Sequence, residues 1–169
     1  MSDSVSDVIA AVIERLQQRE QTVTTLSFAD VATAEETLFL TAATVVVTEV
    51  PPTAIADLYR LTTTPLTTFV QAAWRDHAAV TLQLTVADVN LVPWPLLTTW
   101  PVTIALPTGE VLTAQEAAVI TRSDVLGLPL HAVLVKQHRQ RLTMAAHDEL
   151  LAQHIEVRER TDQACIWQE

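Results

Sequence analysis

Residues 102–120 restrict the fold more than any other stretch of the chain. Val102, Ile104 and Leu106 alternate as a half-buried strand does, Pro107-Thr108-Gly109-Glu110 supplies turn chemistry, and the chain returns from Val111 to Ile120. The pattern predicts a β-hairpin, hence an antiparallel pair that neighbouring strands must accommodate. Gly109 is one of only two glycines, the other being Gly127, so a Gly-rich loop that cradles phosphate is excluded.

Further strands are expected over residues 22–28, 38–50 and 80–86. Val45, Val46 and Val47 suggest a strand covered on both faces, whereas Val80, Leu82, Leu84 and Val86 alternate strictly. Residues 156–160 and 164–167 read as a closing strand pair. Helical spacing is clearest at Val5, Val8, Ile9, Val12, Ile13 and Leu16, with Asp3 or Ser4 available as a cap. Residues 53–61 and 143–155 are also read as helical, residues 130–134 as the opening of a helix, and residues 30–37 as a short helix or turn. Thr64-Pro65 is a start signal, since the threonine can cap and the proline suits the first turn. Leu66, Phe69, Val70, Ala73 and Trp74 follow at helical spacing, with an end near His77. The expected fold class is therefore α+β: a mainly antiparallel sheet of about six strands with helices packed on one face.

The 169 residues suit one domain, in which 1–59 form an N-terminal helix and strand extension and 60–169 a core. Twenty acidic residues against ten basic ones give a formal charge of −10, and the sole lysine is Lys136. Nucleic acid and anionic membrane surfaces need clustered cations, so neither is an expected partner. No apolar run approaches the ~20 residues of a bilayer span. Cys165 has no second cysteine to pair with, and the N-terminus is acidic where a secretion signal would be basic, so a cytoplasmic location is expected.

Several short motifs fall in the order of the chorismate lyase family. Arg60 to Thr67 occupies the place of that family's capped helix entry, with Thr64 where its acidic residue belongs. The hairpin turning on Thr108-Gly109-Glu110, Pro129-Leu130-His131, and Arg158-x-Arg160 with a strand running to Glu169 complete the set. Residues 60–169 thus resemble chorismate lyases, and the fold also resembles the ligand-sensing domain of GntR-type regulators. The resemblance implies an enclosed site that cleaves chorismate to 4-hydroxybenzoate and pyruvate without metal or cofactor. It assigns Glu169 as the catalytic residue, Leu130 as a ligand contact and Leu66 as a pocket wall, with His131, Arg158 and Arg160 as further ligand-binding candidates. Arginine suits a dicarboxylate because its fork pairs bidentately. The family arginine before the hairpin falls on Pro101 here.

Arg158 and Arg160 share one strand face, so they either point inward as anion ligands or outward to acidic neighbours such as Glu156. Lys136, His138, Arg139 and Arg141 form the one basic run, read as an anion-pocket rim, a dock for an acidic partner or the wet face of a helix. His131, His138, His147 and His154 lack the spacing of a zinc site, so no metal is implied. Ser123-Asp124 lacks a nucleophile elbow and reads as a turn or cap. Trp94 and Trp100, set among prolines, read as a binding surface or as a cap on the sheet. Two functions follow: a chorismate-lyase-like protein binding or cleaving a small aromatic carboxylate, or a non-catalytic assembly factor that docks a protein partner.

Overall fold

A computed structural model describes residues 2–35 and 37–161. The chain opens with helix α1 (Ser2–Gln21), strand β1 (Val23–Ser27), a 3-10 turn (Phe28–Thr33) and the short α2 (Leu38–Thr41). It continues through β2 (Thr44–Val50), α3 (Pro52–Tyr59), α4 (Pro65–Arg75) and β3 (Ala79–Leu84). A second 3-10 turn (Val89–Leu91), α5 (Trp94–Thr98) and the strands β4 (Thr103–Ala105) and β5 (Val111–Ala114) follow. The last part comprises β6 (Val119–Ile120), α6 (Arg122–Val125), β7 (Val133–Gln137), β8 (Arg141–Leu142), α7 (Met144–Ala152) and β9 (Glu156–Arg160).

Seven strands form the main sheet in the order β1-β2-β3-β4-β5-β7-β9, and β6 and β8 form a separate parallel pair. Helices and strands share the chain as expected, but the antiparallel sheet does not stand. Every pairing in the main sheet is parallel except β4 with β5. The hairpin is real, yet it stops at Ala114 and is the one reversal in the sheet. Its tight turn holds Gly109 at φ +96°, a left-handed value that suits glycine, with Leu106 N–H bonded to Glu110 O at 2.9 Å. Between the other strands the chain crosses over, often by helices of only four or five residues, too short to show a 3.6-residue period.

Right-handed crossovers that all step in one direction place their helices on one face of the sheet. Reversing strand direction at the hairpin moves the later crossovers to the opposite face, and the buried residues divide accordingly. Val45, Val47, Val80, Leu82, Leu84 and Ile104 point into one large core with Ile55, Leu58, Leu66 and Val70 of α3 and α4. On β7, Val133 and Val135 join that core, while Leu134 faces a second, smaller one built with Ile120, Val125, Ala146, Leu150 and Ile155. Helices therefore lie on both faces, not one.

Local chemistry explains most element ends. Thr64 caps α4 through a 3.2 Å bond from Thr67 N–H, and Thr143 does the same for α7 from Ala146. Lacking glycine, three helices end on left-handed non-glycine residues: Leu61, His77 and His154. After each, the chain closes with a backbone bond such as Ala78 N–H to Ala73 O at 2.8 Å, which satisfies the last carbonyls. Residues 130–134, expected to open a helix, turn into β7 instead. The basic run that follows lies on β7, the next turn and β8, so a helix face is excluded for it. The proposed strand at 164–167 lies outside the described residues.

Candidate functional site

The residues singled out from sequence do not converge on one pocket. Leu66 is sealed in the large core on α4, whereas Leu130 is exposed in the turn before β7. His131 is also exposed, and its ring stacks on His154 with centroids 5.6 Å apart. Arg158 binds Glu156 through two nitrogens, at 2.8 and 3.2 Å, and donates a further bond to Ala87 O. Arg160 is 5% exposed and donates to Val92 O at 2.6 Å, so it clamps the loop before α5 onto the edge strand. Glu169 lies outside the described residues, as do Cys165 and its neighbours. Ser123-Asp124 belongs to a capping box: Asp124 accepts from the Thr121 N–H at 2.7 Å. Trp100 packs edge-on against Trp74 at 5.7 Å, and both lean on the large core beside Tyr59 and Trp94.

Electrostatic structure concentrates in the later half. Hydrogen bonds from the Thr121 backbone and hydroxyl hold Asp124 below the usual carboxylate range. Gln153 and then Arg122 do so for Glu149, Arg158 for Glu156, and Lys136 with His138 for Glu159. These are surface networks that tie strands and helices together. Among the described residues, no group of three or more His, Cys, Asp or Glu side chains could hold a metal ion.

Two further surface features bear on function. One is a cleft of about 410 Å³ at the start of α4, floored by Val31, Phe39 and Phe69 and rimmed by Thr63, Thr64 and Thr68. Phe39 and Phe69 meet at 4.9 Å, and the Thr64 hydroxyl is already engaged by Thr67. No ionisable side chain lines this cleft, so it offers apolar contact and hydroxyl groups. A carboxylate would find no cation there, which counts against an aromatic acid as its ligand.

The other feature is α1, whose residues 5–18 are all exposed. Val5, Val8, Ile9, Val12, Ile13 and Leu16 form one stripe in which each side chain keeps 49–62% of its surface in water. An amphipathic stripe ordinarily faces a core, because packing of the apolar face supplies most of a helix's stability in a protein. Fully burying such a side chain stabilises by about 1.5–3 kcal/mol, and about half of that is left unrealised at each of the six positions. The helix is nonetheless firmly mounted at its C-terminal end. Arg19 donates to Phe39 O at 2.9 Å and to Asp76 O at 2.6 Å, and its own carbonyl accepts from Ala43 N–H at 3.0 Å. The stripe thus projects clear of the body from a tied C-terminal end. Its periodicity was readable in the sequence; its exposure was not. Among the described residues no helix is long and apolar enough to cross a membrane, so a bilayer does not account for the stripe by that route.

Fold and surface together define an α+β domain with a mixed, mostly parallel sheet and an amphipathic helix whose apolar stripe is exposed. The sequence matches the PDU-like family, described as "Putative propanediol utilisation", over residues 7–156, and the chain belongs to that family. The match begins inside α1, so most of the helix is part of the family's domain. It replaces the resemblance to chorismate lyases and to GntR-type ligand-sensing domains, whose motifs are short segments scattered over a sheet of different topology. The associated expectation of chorismate and 4-hydroxybenzoate as ligands loses its basis with it. No curated protein and no solved structure matches the chain.

Proposed function

We propose that the chain is a non-catalytic assembly factor of propanediol utilisation that docks a protein partner through α1. The observation that carries this reading is the stripe from Val5 to Leu16, apolar, exposed and tied to the body at the C-terminal end of its helix. Contiguous apolar patches of this size on a soluble surface mark interaction sites. An amphipathic helix that lays its apolar face into a groove is a recurring recognition mode, read as anchors at helical spacing. The family description supplies the setting, and the lining of the cleft at α4 holds hydroxyl groups but no ionisable side chain to activate them.

The test is genetic and physical together. In a propanediol-utilising cell deleted for this chain, the double variant Ile9→Asp, Val12→Asp should restore growth on propanediol no better than the deletion. The purified variant should keep the near-ultraviolet circular dichroism of its tryptophan cluster, because the stripe touches none of the core. Full complementation by the variant would overturn the reading.

A further inference from the structure

The stripe on α1 has an internal symmetry that the docking reading does not require. Its positions, 5, 8, 9, 12, 13 and 16, are separated by three, one, three, one and three residues, so the spacing reads the same from either end. Reversing the helix carries Val5 onto Leu16, Val8 onto Ile13 and Ile9 onto Val12. A surface that superposes on itself under reversal is what an isologous two-fold contact needs, since each residue i meets j and each j meets i. Resting on the reading of α1 as the docking face, we infer that the partner is a second copy of this chain. The two α1 helices pair antiparallel, about a two-fold axis crossing them at the level of Ala10 and Ala11.

Two observations favour this occupant and this direction. The first is the mounting. Arg19 ties the C-terminal end of α1 to the body through Phe39 O and Asp76 O, so a parallel pair would bring both bodies to the same end. The antiparallel pair separates the two mounts by about 25 Å. The second is area. Covering the exposed part of six apolar side chains on each of two copies removes roughly 1,000 Å² from water, at the lower edge of specific interfaces. That predicts a reversible dimer, dependent on protein concentration.

Sedimentation equilibrium of the purified full chain over a range of concentrations is the first measurement. Wild type should shift from monomer to dimer, and Ile9→Asp should weaken the dimer by about a hundredfold or more, because it places a charge in the seam. Direction is read by disulfide trapping in a Cys165→Ser background. Under mild oxidation, Val5→Cys mixed with Leu16→Cys should give a cross-linked dimer, while Val5→Cys alone should not. Efficient self-linking of Val5→Cys would overturn the antiparallel arrangement. A chain that stays monomeric throughout would overturn the second copy as partner. In that case, binding of wild type but not Ile9→Asp to a different, identified and separately purified protein would leave the docking reading intact. Failure of the complementation experiment above would remove both.

Discussion

Strands β2 to β4 bury one face beneath α3, α4 and α5 and leave the other partly open, with β1 half-buried at the edge, while β7 is buried on both faces. On the first four strands the uncovered side carries Thr25, Thr44, Thr48, Thr81 and Thr103, short side chains that tolerate water and still suit a pleated backbone. On β7, Val133, Leu134 and Val135 are all buried because α7 covers the side that the earlier helices do not reach. The two regions are also held by different forces. The first relies on one extensive apolar core; the second has a core of six buried side chains supplemented by the Arg122–Glu149, Arg158–Glu156 and Lys136–Glu159 pairs. The single antiparallel pairing marks the boundary. A hairpin there changes which face receives the next helix, and the composition of each strand follows from that.

Truncation of a fully buried leucine in each region tests the contrast most strongly. Leu82→Ala, in the middle of the large core, should cost about 4 kcal/mol in urea unfolding, and Leu134→Ala in the small core about 3 kcal/mol, because a site nearer the surface relaxes into its cavity more readily. A larger loss for Leu134 would break the ranking of the two cores. Arg160→Ala comes next, at about 2 kcal/mol, since it strips the Val92 carbonyl of its buried donor and opens a space beside the edge strand. Faster amide exchange in residues 89–92 should accompany it; unchanged exchange there would show that the clamp is dispensable. The smallest effect is that of pH. Asp124, Glu149, Glu156 and Glu159 all have lowered pKa values in the folded chain, so each takes up protons less readily folded than unfolded. Their stabilising effect is complete above the ordinary carboxylate range and is lost as pH falls through it and below. The thermal midpoint should therefore decline from pH 5 toward pH 3, modestly because these groups face solvent. Glu159→Gln should flatten the decline; an unchanged slope in that variant would show that its pairing with Lys136 and His138 adds nothing to the pH dependence.

The sequence carried the elements better than their arrangement. The stripe of α1, the Thr64-Pro65 start, the alternation of β3 and the turn at Gly109 each rest on a local rule that the tertiary structure obeys. Strand direction has no such local signature, because a half-buried strand alternates in the same way whether its neighbour runs with it or against it. Direction had to be inferred from the connections, and α2, α5 and α6 are too short to be recognised as crossovers. The apolar run at residues 130–134 was ambiguous between helix and strand for the reason that β7 is covered on both faces, which removes the alternation. The expected helix ends at Leu61, near His77 and at Ile155 lie two to three residues beyond the last helical residues Tyr59, Arg75 and Ala152, because no glycine marks the stop. At the candidate site, composition alone could not distinguish a helix that faces its own core from one that faces another molecule. The arginines of β9 drew attention for their anion chemistry, but Arg158 satisfies it with Glu156 and Arg160 turns inward to a carbonyl.

Strand order along the main sheet is identical to strand order along the chain. Each strand as it leaves the ribosome meets the edge left by its predecessor, and none has to wait for a distant segment to be inserted between two already paired. Parallel pairing is intrinsically slow because a crossover must close before any ladder bond is made, but here every loop to be closed is the one just synthesised. The N-terminal strands can thus assemble stepwise during synthesis at the ordinary pace of about 5–20 residues per second. The same order leaves an unpaired edge at every stage, so a chain stalled after β3 would present an open strand to its neighbours in the cell.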